Sequence, residues 1–296
     1  MMICAAPEIE LADYFEDSYR TIRLIGRSPR TIEGYKTALS IWSQWPGHTT
    51  LVRTETRTLA QFAQWILETR GAASANCYVR HIMAILRFAM ESEDIGSVPR
   101  WTKLKEPKRV PLALTVEEFG KVLATAQNWR RKNCGYSGSV WWLAVLLTAW
   151  ETGLRLTALL TLRTIDVLWD SAGLLCQPDD QKDSEGMWFA LQPDTLVALR
   201  AIWEPDRVLL FPRKVEVTQV GRWFRRILDQ SGIYAPKGCG LCFHRVRKSK
   251  ASYTEAAGGD AQRALGHSAR SVTERYLDPR IVGRAYQPPM PLPRPR

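Results

Sequence analysis

Two arginines, two histidines and a tyrosine in this chain are of the types that could do chemistry together. His244-Arg245-Val246-Arg247 is followed by Leu265-Gly266-His267 and then by Tyr276, and another arginine lies far upstream in Thr152-Gly153-Leu154-Arg155. Breaking a phosphodiester with a protein hydroxyl calls for such a set. The nucleophile must attack phosphorus, negative charge gathers on the non-bridging oxygens, and the departing 5′ oxygen needs a proton. A tyrosine with a pKa near ~10 is only ~0.1% ionised at neutral pH, so it needs help. Guanidinium groups answer the second need, because their planar fork binds phosphate bidentately and keeps its charge. A histidine or lysine can answer the third.

The local sequence says how these side chains are positioned. His244 and Arg247 stand three apart on a predicted helix, His244–Ala257, and so project from one face. Arg155 follows Gly153 in a tight turn that opens a short helix, where backbone N–H groups also favour anions. Lys182 sits in the turn Asp179-Asp180-Gln181-Lys182-Asp183-Ser184-Glu185-Gly186. Gly266 permits a turn that points His267 inward, and Tyr276 follows nine residues later. Taken singly, each piece is ordinary: H-x-x-R is usually a solvated helix face, a lysine in a hairpin is common, and L-G-H reads as a helix cap. Together, in one order at fitting separations, they are not ordinary.

That pattern, T-G-x-R, a hairpin lysine, H-x-x-R, L-G-H and a tyrosine nine residues on, resembles the tyrosine recombinase (phage integrase) family. The resemblance implies that Tyr276 attacks the scissile phosphate to give a 3′-phosphotyrosine and a free 5′ hydroxyl. It implies that Arg155, Arg247 and His267 stabilise the phosphorane, with His244 as proton acceptor and Lys182 as general acid, and with no metal, ATP or other cofactor. It also implies a homotetramer on paired sites in double-stranded DNA, an accessory directionality protein as a possible partner, and most often a role as integrase of a mobile element. The segment after Tyr276 is then a candidate for docking on a neighbouring subunit. One position departs from the pattern: three residues after Arg155, where the family usually carries Glu, stands Ala158. Lys214 competes with Lys182, because hairpin length varies in the family, and Tyr286 competes with Tyr276 on less fitting spacing from His267. The alternatives are a catalytically silent DNA-binding regulator on the same fold and a relaxing topoisomerase of the same chemistry.

The elements around these residues predict a mainly helical protein with a small antiparallel sheet. Four helices are expected over residues 8–95, a module that resembles the core-binding domain of that family. Ser28-Pro29 starts one of them, and apolar residues such as Ile32, Tyr35, Leu39 and Trp42 recur every three or four positions. Residues 96–112 lose the periodicity and carry Arg100, Lys103, Lys105, Lys108 and Arg109 among prolines, a linker read as an extended basic strap for the phosphate backbone. A catalytic domain over 113–286 opens on the capping box Thr115-Val116-Glu117-Glu118. It continues with the apolar Val140–Trp150 as a central helix, and alternates short apolar runs with turns between 166 and 192. Later helices are expected at Thr195–Trp203, Thr218–Ser231, Ala261–Leu265 and Val272–Leu277, before a proline-rich tail at 287–296.

Lys and Arg outnumber Asp and Glu by 41 to 30 in 296 residues, a net charge of +11 that favours polyanionic partners. The opening MMICAAPEIE lacks the basic start of a secretory leader, and Val140–Trp150 is far short of the ~20 apolar residues that span a bilayer. A cytoplasmic, nucleoid-associated protein without a membrane partner is expected. The six cysteines then read mostly as free thiols. Cys239 and Cys242 form a C-x-x-C, but a zinc site would need two more ligands and would take His244 from catalysis.

Overall fold

The computed structural model describes residues 8–132, 135–177, 186–234 and 242–283. The chain divides into two compact units, Met1–Lys108 and Arg109–Arg296.

The first unit is helical. Helix α1 (Leu11–Tyr14), a π-turn (Phe15–Tyr19) and α2 (Arg20–Arg23) run on without a break, followed by α3 (Pro29–Gln44), α4 (Thr56–Arg70) and α5 (Ala72–Glu91). Ser28 caps α3 through the Thr31 N–H at 3.3 Å, with Pro29 at the first turn. Gly71, at φ +87°, serves as both the end of α4 and the start of α5, a conformation an L side chain resists. The apolar stripes meet in one core around Trp42, Phe62, Ile66, Ile82 and Leu86.

The segment after α5 is extended, and its first half is docked. Val98, Trp101 and Leu104 pack on the helical core. Asn76 of α5 reads the strap as a second strand would: Leu104 N–H donates to Asn76 Oδ1 at 2.8 Å, and Asn76 Nδ2 donates to Leu104 O at 2.9 Å and Glu106 Oε1 at 2.7 Å.

The second unit is built round α7 (Gly138–Thr152), which packs against α6 (Val116–Gln127), α9 (Pro193–Arg200) and α11 (His244–Ala256). Its continuous apolar run suits a helix covered on all sides, with Trp141, Trp142, Ala144, Val145, Leu146 and Ala149 all buried. Each large side chain so buried contributes roughly 1.5–3 kcal/mol. The capping box of α6 forms as expected, with Glu118 N to Thr115 Oγ1 at 3.1 Å and Thr115 N to Glu118 Oε2 at 3.0 Å. Helix α8 (Leu156–Thr161) follows α7.

The sheet is three antiparallel strands in order β1 (Val167–Leu168), β2 (Gly173–Cys176), β3 (Met187–Ala190), with Val167 opposite Leu174 and Leu175 opposite Trp188. Glu151, near the end of α7, fixes where the chain leaves it. Its carboxylate accepts from Gln192 N at 2.9 Å and Thr195 Oγ1 at 2.7 Å. Helix α10 (Val217–Gln230) turns Val220, Trp223, Phe224, Ile227 and Leu228 into the core and leaves Arg222, Arg225 and Arg226 exposed.

After α11 come three short helices: α12 (Ala261–Leu265), α13 (Arg270–Thr273) and α14 (Pro279–Val282). The expected helix Val272–Leu277 is displaced and shortened. Tyr276 lies in the turn behind α13, closed by Tyr276 N to Thr273 O at 2.8 Å. Asp278 precedes a proline, which drives it to extended backbone (ψ 116°) and ends helical propagation there. The tail at 287–296 lies outside the described residues. No helix among the described residues is long and apolar enough to cross a membrane.

Candidate active site

Two glycines set the two approaches to the site. Gly153 ends α7 in the left-handed region (φ +66°, ψ 15°), and a Cβ there would lie 2.8 Å from Lys250 Cγ and 2.9 Å from Leu265 Cδ2. Only glycine meets both demands. The turn delivers Arg155 to the N-terminal edge of α8. Gly266 ends α12 in the same region (φ +61°, ψ 44°). His267 beyond it is clasped through its backbone, with His267 N to Gln262 O at 3.0 Å and Gln262 Nε2 to His267 O at 3.1 Å.

Arg247 is the hub. It is 2% exposed, and its guanidinium spans the two glycine turns, Nη1 to Gly153 O and Nη2 to Leu265 O, each at 2.7 Å. Nη2 also lies 3.1 Å from His267 Nε2. An arginine can only donate, so Nε2 is the acceptor, and His267 is neutral with its proton on Nδ1. That proton has a partner in Thr273 Oγ1 at 3.0 Å. The chain Thr273–His267–Arg247–Gly153 therefore holds the guanidinium and the imidazole in one arrangement.

Tyr276 closes the cluster. Its ring centroid lies 4.8 Å from that of His244 and 4.7 Å from that of His267, with the Arg247 guanidinium carbon 5.9 Å away. His244 opens α11 one turn before Arg247. Burial, then the charges of Arg247, Lys248 and Arg155, push its pKa down from 6.5 to about 4. His244 is thus a neutral imidazole at physiological pH, able to accept a proton.

Arg155, His244 and Arg247 face a groove of about 520 Å³ whose other wall is α10, with Thr218, Gly221, Arg222 and Arg225. Among the described residues lining it are four arginines and no carboxylate. Such a groove accepts a polyanion. The structure therefore brings Arg155, His244, Arg247, His267 and Tyr276 together. Lys182, Cys239 and Tyr286 lie outside the described residues, and Lys214 is exposed on the way into α10. Ala158 is buried in α8. Arg100, Lys103, Lys105, Lys108 and Arg109 are all exposed, with Lys103 Nζ 3.0 Å from Glu106. Cys77, Cys176 and Cys242 are free thiols, and no group of metal-binding side chains occurs among the described residues.

Sequence reasoning missed Thr273, Gln262 and the α10 arginines. The last had a signal, since arginines interleave with an apolar stripe in Arg222-Trp223-Phe224-Arg225-Arg226-Ile227. Thr273 had none, because nothing in a threonine six residues after a histidine marks it as that ring's partner.

No family model matches the chain. In sequence it is similar to a putative tyrosine recombinase XerC of Pseudomonas syringae, 29% identical over 147 residues. The matched stretch is 46% of this chain and spans only 30% of that relative's length. In fold it is similar to a lambda integrase dimer bound to a COC′ core site, with TM-score 0.75 and 20% identity over 95% of this chain and 80% of that one. The Tn1549 transposon integrase in complex with a circular intermediate DNA gives 0.71 and 16% over 91% and 95%. The resemblance to the tyrosine recombinase family holds in sequence and in fold. The mainly helical unit with its small antiparallel sheet is the architecture that the pattern of apolar runs and turns predicted.

Proposed function

We propose that this protein is a tyrosine-type site-specific DNA recombinase, the integrase of a mobile element, that cuts and rejoins double-stranded DNA through a 3′-phosphotyrosine. The observation that carries the reading is the Tyr276 ring packed against both His244 and His267 beside a buried, doubly anchored Arg247. A regulator that only binds DNA has no use for such a cluster.

The scissile phosphate sits in the arginine-lined groove. Tyr276 Oη attacks phosphorus and its proton passes to His244, which is neutral and so able to take it. Arg155 and Arg247 neutralise the charge that grows on the non-bridging oxygens. The bond to the 5′ oxygen breaks, and that oxygen takes a proton, in the role the resemblance gives to Lys182. The phosphotyrosine keeps the energy of the broken ester, so a 5′ hydroxyl from a second duplex can reverse the step on a new partner. The integrase neighbours include a lambda tetramer bound to a Holliday junction, similar over 96% of this chain at TM-score 0.73 and 20% identity, which supports a tetramer as the working assembly. An accessory protein that sets direction and a nucleoid location belong to the same proposal. Arg100, Lys103, Lys105, Lys108 and Arg109 contact phosphates, so neutralising them should weaken binding to all sequences alike and flatten its salt dependence.

Covalent trapping tests the reaction. Nicked duplexes from DNA flanking the gene are incubated with wild type and with Tyr276→Phe, then resolved under denaturing conditions. A protease-sensitive adduct with wild type alone is expected. Tight binding to the same DNA with no adduct would favour the regulator, and relaxation of plasmid lacking any special site would favour a topoisomerase.

A further inference from the structure

The chain enters the catalytic unit through Ala113 and Leu114, both fully buried. Ser249 of α11 holds Leu114 at both backbone groups, with Leu114 N to Ser249 Oγ at 2.8 Å and Ser249 Oγ to Leu114 O at 2.9 Å. Ala113 O accepts from Arg245 Nη2 at 3.2 Å and from Arg280 Nη2 at 3.1 Å. Ala113 N–H donates to Asp278 Oδ2 at 2.8 Å. The entry segment is therefore bonded at once to the helix that carries His244 and Arg247 and to the residues just behind Tyr276.

Asp278 is where these links converge. It is 0% exposed, and its carboxylate accepts from Arg280 N at 2.9 Å and Arg280 Nη2 at 2.7 Å as well as from Ala113. Its own N–H donates to Ser252 Oγ at 2.9 Å, and the same hydroxyl lies 3.3 Å from Tyr276 O, to which it donates. Burial alone would push the Asp278 carboxyl up, but the hydrogen bonds from Arg280 and Ala113 outweigh it and hold it below the usual range. Arg245, Ser249 and Ser252 follow one another at helical spacing, so one stripe of α11 binds the entry segment and the nucleophile's backbone side by side.

We propose that Asp278 is a positioning residue for Tyr276: its carboxylate joins the Ala113–Leu114 entry segment to the backbone bearing the nucleophile, so that displacement of that segment moves the tyrosine. The proposal rests on the reading of Tyr276 as nucleophile. A buried carboxylate is a costly way to fill space, and an apolar side chain would do that better. What the carboxylate adds is direction, with one oxygen on the entry segment and the other on the turn into α14.

Hydrogen exchange on the full-length protein tests the coupling without any reaction. Asp278→Asn and Ser249→Ala should both speed amide exchange across 273–278 by tenfold or more, with α7 unchanged. Ser249 touches the entry segment and not the turn, and Ala113 next to Leu114 is bonded to Asp278 and to Arg280, which carry its displacement to the turn. Faster exchange confined to 111–115 in Ser249→Ala would overturn the proposal, whether or not Asp278→Asn folds. On nicked duplex, Asp278→Asn should slow adduct formation at least tenfold yet leave rejoining from the purified adduct at the wild-type rate. The covalent bond then already holds the tyrosine. Equal slowing of both steps would also overturn it. Absence of an adduct on DNA that the wild type binds tightly would refute the nucleophile reading, and exchange would still decide the coupling.

Discussion

Replacing His244 with glutamine should make the protein more tolerant of acid. Folded His244 binds its proton far less readily than the unfolded chain, with a pKa of about 4 against 6.5, chiefly through burial and the neighbouring Arg247. Well above pH 6.5 neither state is protonated and the site costs nothing. As pH falls from about 6.5 toward about 4, the unfolded chain takes up a proton that the folded chain refuses, and stability is lost. The loss reaches about 2 kcal/mol near pH 5 and about 3 kcal/mol below both values. For a unit of this size that corresponds to roughly 4–8 °C in Tm near pH 5. Thermal unfolding of wild type and His244→Gln from about pH 8 down to about pH 4.5 reads it directly. The difference between them, whatever its value at pH 8, should move by that amount in favour of the variant. Parallel curves through that range would refute the claim that burial and the surrounding arginines suppress this imidazole. If the groove takes DNA as proposed, its phosphates supply the opposing charge and should erase most of the wild type's acid penalty.

Gly153→Ala should cost about 2–5 kcal/mol, the sum of a left-handed alanine and a Cβ driven into Lys250 and Leu265, which thermal melting reads as a fall of roughly 5–20 °C. Thr273→Val deprives His267 Nδ1 of its partner and should slow adduct formation about tenfold to a hundredfold with DNA affinity unchanged, in a single-turnover assay against a binding titration. Asn76→Ala should release the strap from α5, costing about 1–3 kcal/mol, and limited trypsin digestion should then cut after Lys103 and Lys105 much faster than in wild type.

Much of this molecule is legible in its sequence, where local rules act alone. Ser28-Pro29 and the Thr115–Glu118 box mark helix starts because a cap is decided within four residues. Val140–Trp150 announces a buried helix because it has no polar face. Arg155, His244, Arg247, His267 and Tyr276, which the fold brings together, could be picked out because their types and order suit one reaction. What escapes is whatever depends on distant residues meeting. Arg245 sits between His244 and Arg247 and looks like either, yet it turns away to hold Tyr234 O and Ala113 O. The helix expected around Tyr276 is shortened by Asp278-Pro279 and by Thr273, whose hydroxyl faces His267. The strap was expected as an extended linker, and nothing in Asn76 alone foretells that it grips Leu104.

The Arg247–Gly153 bond also bears on how the protein is made. It joins residues separated by 94 positions, and the tyrosine comes later still. During synthesis the turn at Gly153 and Arg155 leaves the ribosome long before α11, α12 and Tyr276 exist. Until they fold back, there is no fixed guanidinium, no oriented imidazole and no Tyr276 beside them. For the proposed recombinase, a chain caught part-way through translation has its basic surfaces but not the assembled site. Under the proposed function, strand cleavage therefore becomes available only with the last element that the reaction requires.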